Sequence, residues 1–203
     1  MSVTEAAEGK RAQNRTRRRA QVIDAASALA ADGGYEAVQM RDVADRAGVA
    51  LGTLYRYFPS KDQLLVATLV ESASTLRDRL SAKPPRGDTV ADRIVDILRR
   101  ANRYLERQPR LTAAMVAALS SPDPETVETK HEAFAVLQDI ITTALPDGDA
   151  SLEDDRHAVV RALGNVWFAA LIQWTVGMCD AARMADDLET AARLLARGWN
   201  GER

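Results

Sequence analysis

Apolar positions recur along most of this chain at the three- and four-residue spacing of a helix, and no segment alternates like a strand. Val22, Ile23, Ala26, Leu29 and Ala30 form the inner stripe of a helix predicted to begin near Thr16 and to stop at Gly33 and Gly34. Ahead of it, residues 1–14 are polar without apolar period and are expected to form a mobile arm. Two short helices follow, about Met40–Ala47 and Leu51–Tyr57, on either side of Gly48. Val43, Ala44, Val49, Leu54 and Phe58 have the spacing to pack them together. Pro59 forbids simple continuation, and Ser60 with Gln63 three residues on reads as a capping box. The helix it opens carries Leu64, Leu65, Thr68 and Leu69 inward.

A Pro- and Gly-containing break runs from Ser81 to Gly87, and every later segment again has helical period. Val90, Ile94, Ile97, Leu98, Ala101 and Leu105 stripe one helix. Pro109 opens another with Leu111, Met115, Val116 and Leu119, and residues 121–124 precede a third with Val127, Phe134, Leu137, Ile140 and Ile141. Pro146 to Asp149 should end that one, and Ser151 with Asp154 should cap a long helix reaching about Cys179. A final helix is predicted over Met184–Arg197. The fold class is all-α, about nine helices, without internal repeats.

Charge divides the chain. Residues 1–61 carry ten Lys and Arg against seven acids, while the remainder carries 17 against 22. A basic head on an acidic body suits a molecule that meets phosphate at one end. The single cysteine, Cys179, excludes an intramolecular disulfide, and its apolar neighbours suggest an inert thiol in a helix core. The polar, basic start does not read as a signal peptide. The most apolar stretch, Val166–Cys179, is too short to span a bilayer. The expected location is the cytoplasm, with no membrane partner.

The two short helices around Gly48 form a helix-turn-helix, and their motifs (Gly34-Tyr35, Val43-Ala44, Ala47-Gly48-Val49 and Gly52-Thr53-Leu54-Tyr55 through Tyr57-Phe58 to Ser60-Lys61) match the pattern of the TetR family of bacterial repressors. The match is by motif from Thr16 to Lys61 and by helix layout beyond. Residues 33–41 and 49–61 are more similar to one subgroup, the KstR-type repressors of sterol catabolism. Echoes of the same subgroup appear in Leu111-Thr112, Ala114-Met115, Val166-Trp167 with Trp174, and Ala192–Leu195.

The resemblance implies a 1–15 flexible basic arm, a DNA-binding head over 16–61, and a ligand-binding and dimerisation domain over 62–203. Leu51, Gly52 and Tyr57 would face the major groove, Leu51 against a thymine methyl and Gly52 allowing close approach to a base edge. Thr53 and Tyr55 offer hydroxyls, and Lys61 sits at a helix N-terminus where a phosphate is favoured. Arg41 clamps phosphate or reaches a guanine. Arg17 and Arg18, with Arg15 and Arg19, reach phosphates or the minor groove, although a solvated helix start explains each equally well. Two positions depart from the family pattern. Gln39 and Ala50 stand where a Ser or Thr usually caps the next helix, and Gln39 would have to cap through a longer reach.

Beyond the head, the resemblance implies a cavity enclosed by the fifth to seventh helices, with the last two building a dimer bundle. The inward apolar groups Leu98, Leu105, Met115, Leu119, Phe134, Trp167, Leu171 and Trp174 are the candidate cavity wall, and Asn102 could fix a ligand carbonyl. Each is also an ordinary core residue. Ala162, Gly164, Ala169 and Ala170 would let a symmetry mate approach. Arg99, Arg100, Arg103, Arg107 and Arg110 could meet an acidic ligand head such as coenzyme A phosphates, or form a solvated face.

His131 and His157 lie on different helices without clustered partners, so no metal is expected, and no nucleophile motif, phosphate loop or dinucleotide fingerprint appears. The implied molecule is not an enzyme and needs no cofactor. It is a homodimeric repressor on a palindromic double-stranded DNA operator, released by a large hydrophobic effector such as an acyl-CoA or sterol derivative. The nearest rival is a repressor of a drug-efflux gene that senses aromatic or cationic drugs. Such sites usually carry buried acids, and the inward stripes show none clearly. The others are a nucleoid or cell-division factor without ligand and a small-molecule-binding enzyme or carrier with a vestigial head.

Overall fold

The computed structural model describes residues 3–145 and 153–197. Its α-helices are α1 (Val3–Ala37), α2 (Met40–Ala47), α3 (Leu51–Tyr57), α4 (Lys61–Ser81), α5 (Val90–Leu105), α6 (Pro109–Ser120), α7 (Val127–Thr142), α8 (Glu153–Thr175) and α9 (Ala181–Leu195), with a 3-10 turn at Pro124–Thr126. Among the described residues there is no strand. The expected cap at Ser151 and the break at Pro146 to Asp149 lie outside the described residues.

Helix α1 begins at Val3 rather than near Thr16, so most of the expected arm is helical. Its residues include Ala6, Ala7, Glu8, Lys10, Arg11, Ala12 and Gln13, which favour helix without needing an apolar stripe. At the other end, non-helical backbone at Gly34 (φ 74°, ψ −162°) interrupts α1 where the Gly pair was expected to stop it.

Gly48 makes the turn of the helix-turn-helix. It sits in the left-handed region (φ 65°, ψ 36°), where a Cβ would strain the backbone. The Val49 N–H donates to Ala44 O at 3.0 Å and closes α2. Neither α2 nor α3 has a side-chain N-cap. The long reach expected of Gln39 is not made. Its Nε2 instead donates back to Glu36 O at 2.9 Å. Ala50 already holds extended backbone (φ −66°, ψ 140°) at the α3 cap position. Ala50→Ser should therefore stabilise the chain by about 1 kcal/mol, read as a rise in the urea midpoint at constant slope.

The buried apolar residues fall into two clusters. One joins Val22, Ile23, Val43, Leu54 and Phe58 of the head to the first half of α4 and to Leu111, Met115 and Leu119 of α6. The other joins the second half of α4 to α5, α7, α8 and α9 around Ile97, Ile140, Leu163, Trp167 and Met184. Phe168 packs against both.

Two polar ties reinforce the junction. Ser60 accepts from Gln63 N–H at 3.1 Å and also donates to Asp123 Oδ2 at 3.0 Å; this is half of the expected capping box, since Gln63 Oε1 makes no return bond and is left without a partner. Arg110 donates to Asp32 O at 2.6 Å.

Helix α8 ends at Thr175, short of Cys179, in a turn through Gly177 (φ 80°). Cys179 is therefore half-buried in the α8–α9 connection, not in a helix core. Asp180 caps α9 by accepting from Arg183 N–H at 2.8 Å, and the helix starts three residues earlier than the expected Met184.

Candidate nucleic-acid interface and adjoining cleft

The outer face of α2 and α3 gathers most of the residues singled out by sequence. Leu54 is buried and fixes α3 against α1 and α2, which turns its neighbours outward. Gly52 and Tyr55 are exposed, Tyr55 by 46%, while Leu51, Thr53 and Tyr57 are half-exposed. Leu51 and Tyr57 also pack partly on the head core, so each divides between core and surface. A Cβ built at Gly52 would meet nothing within 4 Å, so the fold itself gives no reason for glycine there. Arg41 is exposed in the first turn of α2, and Arg17 and Arg18 are exposed along α1. Arg19 differs: its guanidinium lies 5.5 Å from the centre of the Phe58 ring and packs α1 against the end of α3.

Lys61, the first residue of α4, is held rather than loose. Its Nζ lies 3.7 Å from the centre of the Tyr35 ring and donates to Tyr35 O at 3.3 Å. The Tyr35 hydroxyl donates to Asp62 Oδ1 at 2.5 Å. Burial first, and then the bond to Asp62, push the Tyr35 phenol up to about 12, so it stays a donor at any working pH. Tyr35 and Asp62 thus position the ammonium at the head of α4. Sequence reasoning missed this cluster because its members lie 26 and 27 residues apart. The Gly34-Tyr35 and Ser60-Lys61 motifs were its traces, without a sign that they meet.

A cleft of about 390 Å³ opens between α1, α4, the end of α5 and α6. Its apolar wall is Ile23, Leu105, Leu111 and Met115, with hydroxyls from Ser27, Thr68, Ser72, Thr75 and Thr112. Asp24 and Glu71 line it, as do Arg79 and Arg107.

Of the nine expected ligand-binding residues, eight wall positions and Asn102, Leu105 and Met115 line this cleft. Leu98, Trp167 and Leu171 are buried in the sensor core instead. Asn102 is 2% exposed and accepts the Trp167 Nε1–H at 2.9 Å, which leaves its Nδ2 without a protein partner. Leu119 packs into the head cluster, Phe134 meets Phe168 edge to face at 5.3 Å, and Trp174 is half-buried against the sensor core. A helical stripe marks an inward face; it does not say whether that face meets another helix or a gap. The two acids stand on polar faces of α1 and α4, and so escaped the apolar stripes.

Residues 22–68 match the model of bacterial regulatory proteins of the tetR family, and residues 87–195 match the tetracyclin repressor-like C-terminal domain. The chain belongs to the TetR family. It is 36% identical to the transcriptional repressor KstR of Mycobacterium tuberculosis over 92% of this chain and 83% of that protein. A TetR transcriptional regulator from Rhodococcus superposes with a TM-score of 0.81 at 29% identity, covering 91% of this chain and 98% of the other. The TetR-family repressor FadR of Thermus thermophilus, solved with lauroyl-CoA, has the same fold at TM-score 0.66 and 23% identity, covering 89% and 94%.

A further exposed apolar surface of this TetR-family chain lies on and beside α8 and α9. Val176, Met178 and Leu194 are exposed apolar residues on and beside α8 and α9, Met178 by 75%. Arg161, Asn165, Val166, Ala169 and Gln173 continue the outward strip along α8. Of the small residues expected to face a symmetry mate, Ala169 is on that strip, whereas Ala170 is buried and Gly164 faces Gln138 and Ile141 of α7. Among the described residues, no helix is long and apolar enough to cross a membrane.

Proposed function

We propose that the chain works as a ligand-responsive repressor that grips a palindromic operator as a dimer through two copies of α3. Leu51, Gly52 and Tyr57 read base edges, with the open space at Gly52 taken up by the floor of the groove. Thr53, Tyr55, Arg41 and Lys61 hold phosphates, and Arg17 and Arg18 reach the flanking backbone or minor groove. The outward strip of α8 and the Val176–Met178 turn, with Leu194, supply the apolar surface that a second subunit covers.

The observation that carries the switch is the position of the cleft. One wall is α1 of the head (Ile23, Asp24, Ser27), and the opposite wall is the end of α5 and α6 (Leu105, Leu111, Met115). An occupant bears directly on the helix that carries the head. A large hydrophobic effector that fits the spread arrangement better than the DNA-bound one shifts the population and frees the operator. The repressor KstR of the sterol-catabolic subgroup and the lauroyl-CoA complex of a repressor with the same fold support a steroid or fatty acyl-CoA. Asp24 and Glu71 on the same cleft favour a second reading, a cationic aromatic drug.

Fluorescence anisotropy with DNA from upstream of the chain's own gene, run with a steroid acyl-CoA thioester and with a cationic dye, tests both. Release by the thioester supports the first reading and release by the dye the second. Absence of specific binding at low salt sinks the repressor itself.

A further inference from the structure

Helix α6 lines the cleft with Leu111, Thr112 and Met115, and both of its ends are fastened to neighbouring helices. At its start the Arg110 guanidinium donates to Asp32 O of α1; just past its end, Asp123 Oδ2 accepts the Ser60 hydroxyl at 3.0 Å. Asp123 is fixed from its own side as well. Its Oδ1 caps the 3-10 turn by accepting Glu125 N–H at 3.0 Å, and its carbonyl accepts the Thr126 hydroxyl at 2.6 Å. Its N–H donates to Ser121 Oγ at 3.3 Å, and Lys130 of α7 donates to Ser121 O. Thr126 is fully buried beneath this turn. The α6–α7 connection is therefore a closed knot, and the second carboxylate oxygen of Asp123 reaches out of it to Ser60.

Ser60 is the N-cap of α4, and Lys61 is the first residue of that helix. The extended backbone at Ser60 (φ −133°, ψ 161°) sets where α4 begins, so whatever holds Ser60 also holds the residue after it. Tyr35 fixes the Lys61 side chain, and Asp123 fixes the cap from which it springs. The cap is incomplete in this arrangement, because Gln63 Oε1 is buried without a partner. A buried acceptor left unpaired is destabilising, and a return bond from Ser60 N–H would satisfy it.

We propose that Asp123 is a positioning residue for DNA binding: through Ser60 it sets Lys61 against its phosphate, and a shift of α6 around an occupied cleft withdraws it. This rests on the reading above, in which Lys61 holds phosphate. On withdrawal Gln63 turns back to Ser60 N–H and completes the capping box, so the bond gained offsets the bond lost. The start of α4 thus has two arrangements of similar free energy, one bridged to the sensor and one closed on itself, as a coupling element requires.

Anisotropy titration of the full-length protein with DNA from upstream of its own gene, at several salt concentrations, tests the role with two substitutions. Asp123→Ser keeps an oxygen that caps the 3-10 turn but is too short to reach Ser60. Asp123→Asn keeps the cap and offers Nδ2 to Ser60 Oγ. Both remove the same negative charge. Asp123→Ser should weaken binding about ten-fold and lower the salt slope, while Asp123→Asn binds within about two-fold of the wild type. Added to Lys61→Ala, Asp123→Ser should weaken binding no further, because the group it positions is gone. Circular dichroism checks folding; Ser60→Gly breaks the same bond from the other side with a residue that still suits a cap, and should reproduce the loss. Equal effects of the two Asp123 substitutions, undiminished binding by Asp123→Ser and Ser60→Gly, or a loss that persists in the Lys61→Ala background overturns the role and leaves the repressor standing. Absence of specific binding by the wild type overturns both.

Discussion

Replacing Trp167 with alanine is expected to cost the fold about 3–5 kcal/mol, the range for truncating a fully buried large aromatic. Trp167 is 1% exposed on α8, in the core cluster that joins the second half of α4 to α5, α7, α8 and α9. The truncation has a polar component as well. The indole N–H is the group bound to Asn102 Oδ1, and Asn102 Nδ2 already lacks a protein partner. Without Trp167 the whole buried amide of α5 stands unpaired, which adds to the packing loss.

The double variant Trp167→Phe, Asn102→Leu removes both polar partners and keeps most of the volume. It should therefore recover more than half of the loss. Urea unfolding followed by circular dichroism measures each step. A cost below about 1 kcal/mol for Trp167→Ala would mean that α8 repacks without it and that the bond to Asn102 does not fix α5 against α8.

The second large effect is expected on DNA. Lys61→Ala removes the ammonium that Tyr35 holds at the start of α4, once per subunit. A charge-assisted hydrogen bond contributes about 1.5–3 kcal/mol, so removing one in each half-site should weaken operator binding by about two orders of magnitude or more. The weakening should be similar on any DNA sequence, because phosphate carries no base information. The salt dependence should fall as well, by about 0.9 for each phosphate no longer neutralised, or roughly 2 per dimer. Tyr35→Phe is the informative companion. It keeps the ring beneath Nζ and the backbone acceptor and removes the bond to Asp62, so its effect should be small. Anisotropy titrations at several salt concentrations separate the two, and an unchanged salt slope in Lys61→Ala would mean that Lys61 does not touch phosphate.

The parts of the molecule that sequence reveals are those with local punctuation. Gly48, Pro59 and Ser60 bracket α2, α3 and the start of α4, and each expected range coincides with the observed one. Pro109 likewise stands at the start of α6. Legibility ends where the outcome depends on what lies across a gap. Leu98 and Leu105 share one stripe of α5 and one buried cluster, yet only Leu105 also lines the cleft. Leu119 looks like a sensor residue by position in the chain, but α6 lies along α1 and places it in the head cluster, while Met115 belongs to that cluster and lines the cleft as well. The start of α1 has no stripe to betray it. Val176 and Met178 read as a continuing helix because apolarity outweighed Gly177, and the turn leaves them exposed. Tyr35, Lys61 and Asp62 meet through tertiary structure alone.

The sharing of Leu111, Ala114, Met115, Ala118 and Leu119 between α6 and the head has a consequence for modular re-engineering. A chimera joined at residue 61 would give the incoming DNA reader a floor shaped for another molecule's α1. Its designer would have to transplant the matching α6 face and the first half of α4 with the reader. Specificity for an operator and responsiveness to a metabolite are therefore not separable cassettes in this chain, because one layer of side chains belongs to both.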